Sequence, residues 1–432
     1  MATARRARSV ATVSVIAIAA LALTACGGGG GGTAEPDKFT FLVNAENQNV
    51  VPSLEAMADG ACKAEAEALP LEVSTIPQAN LDQQLTLLAS QGELPVMFGA
   101  GGVPATSATL AEQGKLVDFE AALTELGVID LIEPASISTI ENLYGSFSVL
   151  PTELNIEGIF YNKALFADAG ISEPATWDDL LSAAEEFKSQ GLTAFSASGS
   201  QGWPITRLIS GYLFRSLGPD AMSAIRDGDA KLTDPEYVEA AQAIADLGAA
   251  GLFGPNVTSL DYDSSINQFL TGEAAMMYMG TWALANVTDE AQAQIGVENV
   301  GFMPFPAVEG GKGDISQYIA NVGLPMTLSA DSYTPKVADW LKCFTENFGT
   351  TSFETKGTIT GFKPQEEVEL APLTQDVMDR IAAADETVLW FEALFDQKTT
   401  QDSLANAALL VTGDLSPEEF MSLLQEDIDA AN

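Results

Sequence analysis

The chain has 432 residues, more than one ordinary core accommodates, which predicts two lobes or domains. Lys and Arg number 19 against 60 Asp and Glu, a formal charge of −41; that surface repels phosphate backbones, so nucleic acid is excluded as a partner. Histidine is absent, which removes Ser-His-Asp and Cys-His nucleophiles and every His-ligated metal site.

Arg5, Arg6 and Arg8 open the chain, and an apolar stretch follows from Val10 through Leu23. A charged start followed by a short apolar run and small residues is the pattern of a secretory signal. The run is shorter than the ~20 residues a spanning helix needs. Leu23-Thr24-Ala25-Cys26 resembles the bacterial lipobox, which implies cleavage after residue 25 and acylation of Cys26. The glycines from Gly27 to Gly32 then read as part of a flexible tether covering residues 26–36. The expected location is the outer face of a bacterial cell membrane, with the chain held there by lipid at Cys26. Cys62 and Cys343 both fall in helical patterns, either as buried thiols or as a disulfide, which an oxidising compartment permits.

Lys38 to Val43 reads as a strand that breaks at Asn44-Ala45-Glu46-Asn47. Helical spacing is predicted for Val51 to Leu69 and for Asn80 to Gln91, with a strand at Leu71-Glu72-Val73 between them. Leu94 to Phe98 is a third strand, ended by Gly99-Ala100-Gly101-Gly102, a loop without aromatic side chains. Strand and helix in alternation predict a parallel α/β sheet, whose ligand loops follow the strands.

The same grammar returns later. Gly158 to Lys163 is a strand, and Thr176-Trp177-Asp178-Asp179 is a capping box opening a helix to about Gln190. A helix near Asp263 buries Ile266, Phe269 and Leu270, and Ala274 to Met279 is a buried strand. Val300 to Pro306 and Asn321 to Leu328 read as strands, and Pro335 to Phe348 as a helix. Ser416-Pro417-Glu418-Glu419 is a second capping box, with proline at its favoured first position.

Phe160-Tyr161-Asn162-Lys163 followed by Thr176-Trp177-Asp178-Asp179-Leu180 resembles a signature of extracellular solute-binding proteins. Phe269 to Met276 with Gly280-Thr281-Trp282, and then Gly361-Phe362-Lys363-Pro364, resemble two later segments of that family, in order. The nearest group is its carbohydrate-binding branch, the maltose-binding-protein-like family 1. The resemblance implies an α/β, two-lobe, periplasmic-binding-protein-like fold of type II, with ligand held between lobes. Residues 37–150 and 301–362 would form lobe one, and 151–298 with 365–432 lobe two. Hinges would lie near Pro151 to Asn155 and Gly296 to Gly301.

The implied activity is binding, without catalytic residues, metal or cofactor. The partners would be an oligosaccharide and the membrane permease subunits of an ATP-driven (ABC) importer, with the receptor a monomer. A sugar's C–H faces pack on aromatic rings and its hydroxyls need fixed polar partners. Trp203, Trp282 and Trp390 align with the family's stacking aromatics, Trp390 in a late helix, while Trp177 and Trp340 occupy core positions of helices. The polar candidates are Asn44, Glu46 and Asn47 after the first strand, Glu153 and Asn155 on the first crossover, Gln201, Asp263 as a helix cap, and Asn321. Carboxylates around aromatics also suit a polyamine or other cation. A glycosidase needs only a suitably spaced carboxylate pair, and is the third reading.

Overall fold

The structure is a computed structural model describing residues 35–432, except 46, 48, 102, 367–369, 385, 386 and 432, and except the side chains of 78, 79, 135, 138 and 382. The leader, Cys26 and the glycine tether therefore lie outside the described residues.

Alternating apolar residues build two sheets. β1 (Phe39–Asn44), β2 (Leu71–Ile76), β3 (Met97–Gly99) and β9 (Met326–Leu328) form a four-stranded sheet in the order β2-β1-β3-β9. β1 runs parallel to β2 and β3, and β9 antiparallel to β3. Phe41, Val43, Met97 and Leu328 join Phe119, Trp340, Phe344 and Phe348 in its core. The disulfide Cys62–Cys343 crosses that core, with 5.8 Å between Cα atoms, and resolves the two alternatives for these cysteines. The helical pattern from Val51 to Leu69 divides into helices Val50–Asp59 and Lys63–Ala68. Gly60 breaks it, and Cys62 turns toward its partner.

The six-stranded sheet has the order β10-β8-β4-β6-β5, with β7 on β4; these are β4 (Asn155–Asn162), β5 (Thr193–Ser196), β6 (Ala274–Gly280), β7 (Val300–Met303), β8 (Tyr318–Asn321) and β10 (Thr387–Val388). Its largest core packs the helices Trp177–Ser189, Trp203–Leu217, Pro235–Ala249, Gln397–Thr412 and Pro417–Ala431. Both expected capping boxes form: Thr176 with Asp179, and Ser416 with Glu419. Arg215, almost fully buried, donates to the carbonyls of Phe305, Asp314 and Gln317, pinning the turn between β7 and β8 to helix Trp203–Leu217. Among the described residues no helix is long and apolar enough to cross a membrane.

The strand pairing divides the 301–362 segment expected in lobe one. β4 is long and central, and one of its edges pairs with β6. Its other edge must also be satisfied along its length. β7 takes Ile159 to Asn162 and β8 takes Asn155 and Ile156, so only the part from β9 onward joins the first sheet. Asn321 to Leu328 is thus two strands in two sheets, and the chain crosses between them there. Gly296 precedes a 3-10 turn, Val297–Asn299, feeding β7, and is no crossover. The first expected crossover, Pro151 to Asn155, does run from the bridge Leu150–Met326 into β4. A third strand of backbone lies alongside: Leu154 N–H donates to Ile359, and Gly361 N–H to Pro151. The segment 365–432 is divided too, since Leu389, Ala393 and Leu394 pack in the first core and Phe391 and Phe395 in the second.

Replacing Cys62 and Cys343 together by alanine should cost about 2–4 kcal/mol of unfolding free energy, because the bridge restrains the unfolded chain. Denaturant titration reads this directly, and midpoints identical to the parent's would contradict it.

Candidate ligand-binding site

Tyr262 and Trp282 gather around Trp203 on the core beneath β4, β6 and β7, and Arg207 links Trp203 to Trp390. Trp203 opens helix Trp203–Leu217, and Gly202 before it has φ of 75°. A Cβ on Gly202 would stand 1.9 Å from the Leu404 carbonyl, so only glycine lets the helix start so close to helix Gln397–Thr412. Trp282 lies in the turn after β6, and its ring folds back over Gly280, where a Cβ would meet it at 1.9 Å. Trp203 and Trp282 meet edge to face at 5.7 Å, and Tyr262 stands 6.1 Å from Trp203. All three are partly exposed, so apolar surface remains open to a ligand. Trp390 also is partly exposed and touches both large cores. It lies between β10 and a turn rather than in the expected helix.

A chain of polar side chains runs beside the aromatics. Asn49 donates to Glu153 Oε1 at 2.8 Å, and Asn155 to Glu153 Oε2 at 3.0 Å. Asn155 Oδ1 accepts from Thr281, next to Trp282, at 3.3 Å, and its Nδ2 donates to Asn321 at 3.4 Å. Asn321 donates to Glu157 Oε1 at 3.2 Å, and Arg207 donates to the same oxygen. Arg207 Nε stands 3.7 Å from Glu392 Oε2, an ion-pair distance. Its guanidinium carbon is 4.9 Å from the Trp390 ring centre and 5.9 Å from that of Trp203.

Burial sets the electrostatics. Loss of water holds the Glu153 carboxyl above its ordinary range, against hydrogen bonds from Asn49 and Asn155. Burial pushes Glu157 up to about 7, with Glu392 adding to the rise and Arg207, Asn321 and Tyr278 opposing it. The Tyr262 phenol is pushed up to about 12, by burial first and by the charges of Asp263 and Glu153 after it.

The expected residues fare differently. Glu153, Asn155 and Asn321 come together, but Asn155 and Asn321 spend their amides on the crossover itself. Asn47 Oδ1 accepts the backbone N–H groups of Asn49 and Val50, fixing the start of helix Val50–Asp59. Asn44 is 1 % exposed, and neither of its side-chain polar atoms has a hydrogen-bond partner among the described residues. Glu46 lies outside the described residues. Gln201 is exposed and bonds locally with Ser198 and Ser200. Asp263 is exposed in the first turn of helix Tyr262–Leu270, whose cap is Asp261, accepting from Ser264 N–H. The glycine loop after β3 is partly filled: Asp82 Oδ1 would lie 2.3 Å from a Cβ on Gly101. Sequence reasoning missed Tyr262, Arg207, Glu157 and Glu392. Glu157 carried a signal, a carboxylate inside the apolar strand Ile156 to Phe160. Arg207, four residues after Trp203, carried another.

Folding raises Glu157 above its unfolded range, so folding favours its protonated form. The resulting stability is complete below about 4.5 and is lost as pH rises through about 7. Unfolding free energy should fall between pH 5 and pH 8, with this group contributing on the order of 3 kcal/mol. Glu157→Gln should flatten that part of the profile, and a variant profile parallel to the parent's would remove Glu157 as its cause.

The family model described as bacterial extracellular solute-binding protein matches residues 45–347. An ABC transporter extracellular-binding protein of Pyrococcus horikoshii is 28% identical over 155 residues, 35% of this chain and 34% of that protein. The multiple sugar-binding protein of Streptococcus mutans is 25% identical over 169 residues, 38% of this chain and 39% of that protein. The chain thus aligns with only about a third to two-fifths of the length of these relatives. The solved structure of a chitin oligosaccharide binding protein superposes with a TM-score of 0.77 at 27% identity, covering 92% of this chain and 99% of that one. With more than half of its length matched to that model and this two-sheet architecture, the chain belongs to the bacterial extracellular solute-binding protein family.

Proposed function

We propose that this chain is the lipid-anchored receptor of an ABC sugar importer, which captures an oligosaccharide between its lobes and presents it to the permease. The observation that carries the reading is the partly exposed cluster of Trp203, Tyr262 and Trp282, with Trp390 across Arg207. Aromatic faces suit the C–H faces of sugar rings. Asn44, buried at the end of β1 with two polar atoms lacking partners among the described residues, would offer a donor and an acceptor to a ligand hydroxyl. The sugar-binding relative and the chitin oligosaccharide binding structure support the same ligand class.

Binding would close the lobes, because a ligand touching both prefers the closed state. The crossovers 150–155 and 321–326, with 359–361 alongside, are the segments that would bend. Cys26 would carry the lipid and residues 26–36 the tether. Mass spectrometry of the membrane-bound protein should find acyl chains there, and Cys26→Ser should release the protein from the membrane.

A cationic ligand is less favoured, because Arg207 already brings a positive charge to the Trp203 and Trp390 rings. Isothermal calorimetry against a panel of oligosaccharides, with spermidine as control, tests the reading. Micromolar or tighter binding to a subset of sugars is expected. Heat from spermidine alone, lost steeply with salt, would overturn it in favour of a cation. Hydrolysis of a chromogenic glycoside would overturn it in favour of an enzyme. Trp282→Ala should weaken sugar binding by about 2 kcal/mol, as loss of a buried aromatic anchor does; unchanged affinity would remove Trp282 from the site.

A further inference from the structure

We propose that Arg207 is the positioning residue of the aromatic site, holding Trp390 in its ligand-ready orientation by lying over its ring and anchoring the segment that carries it. The ligand part of this inference rests on the sugar-receptor reading; the placement of Trp390 does not.

Trp390 has no regular element to orient it. It lies outside any helix or strand, two residues after β10, and a turn begins immediately after it. Helix Trp203–Leu217 grips this segment at two points. Ser210 Oγ accepts the Phe391 N–H at 2.7 Å. One turn earlier, Arg207 lies over the Trp390 ring at 4.9 Å and pairs with Glu392, two residues on. Glu392 is itself held by Ser403 Oγ, at 3.1 Å. On its other side Arg207 bonds Glu157 of β4, whose side chain is completely buried. The guanidinium is therefore tied to the central strand of one sheet and lies over a ring that touches both cores.

A planar guanidinium fits this place and an ammonium does not. It can bond carboxylates in its plane while its face lies on an indole. Lysine would keep a positive charge beside Glu157 and Glu392 but lose the planar group that can bond both while facing the ring. Arg207 also sits four residues after Trp203, so one helical face presents both the cation and the second tryptophan.

The test compares the parent, Arg207→Lys, Trp390→Ala and the double variant, by calorimetry with the sugar that binds the parent best. Arg207→Lys should weaken binding about tenfold, the scale of a partly buried cation–aromatic contact. In the Trp390→Ala background the same change should cost less than about twofold, because its effect passes through the ring. Equal losses in both backgrounds, or no loss in the parent, would overturn the proposal. Near-ultraviolet circular dichroism supplies a ligand-free readout. Arg207→Lys should alter an indole band that Trp390→Phe removes, and an unaltered band would also overturn it. If the parent binds no sugar, the receptor reading falls and the dichroism alone decides the positioning. If Arg207→Lys does not fold, Glu392→Gln takes its place in the cycle, with about a threefold loss expected and the same coupling to Trp390 required.

Discussion

The molecule is organised around acidic and amide side chains buried in β4 and in the crossover leading into it. Glu153, Asn155 and Glu157 sit where backbone passes from one sheet to the other, each no more than 7 % exposed. An uncompensated carboxylate there would cost several kcal/mol of desolvation. Each is instead answered by named partners: Asn49 and Asn155 for Glu153, Arg207 and Asn321 for Glu157. Asn49 comes from the start of helix Val50–Asp59, beside the first sheet, and the other partners from the second sheet and its helix Trp203–Leu217, so the network ties the crossover to both sides. It also explains why Asn321 is the last residue of one sheet before the chain enters the other. Its amide is committed to β4, and its Oδ1 accepts the Gly323 N–H that starts the turn.

The aromatic site is built on this frame. Thr281 bonds both the Ile156 N–H and Asn155, so the turn holding Trp282 is fastened to the start of β4. Arg207 is fastened to β4 through Glu157 and reaches Trp390. Two glycines make the close approaches. Gly280 makes room for the Trp282 ring, and Gly202 brings the helix carrying Trp203 against the carbonyl of Leu404. In the proposed receptor, a sugar would meet a rigid aromatic wall whose supports are also the parts of the hinge. The disulfide acts elsewhere. It lies within the first core and does not span the crossovers.

Much of the local structure was legible in the residues. Strong apolar periodicity located β1, β6 and the helices Gln78–Gln91, Trp177–Ser189 and Pro335–Lys356, because local spacing and caps decide such elements. Both capping boxes formed because their hydrogen bonds lie within four residues. The family resemblance named Trp203, Trp282 and Trp390 as candidates, and the structure brings Trp203 and Trp282 together at 5.7 Å. The readings that failed were about partnership. A continuous apolar run from Asn321 to Leu328 cannot show that its two ends belong to different sheets. Nor can a tryptophan near apolar neighbours show whether it lies in a helix, as was expected of Trp390.

The sequence by itself determined the α/β class, the main helices and strands and the exclusion of histidine chemistry. These rest on composition and on contacts close along the chain. Only the tertiary structure decided which strand edges β7 and β8 satisfy, that Cys62 reaches Cys343, and that Arg207 stands between Glu157, Glu392 and Trp390. Those outcomes join residues up to 281 positions apart. Burial of charge and satisfaction of strand edges select such partners from the whole chain, and neither constraint is visible in any local window.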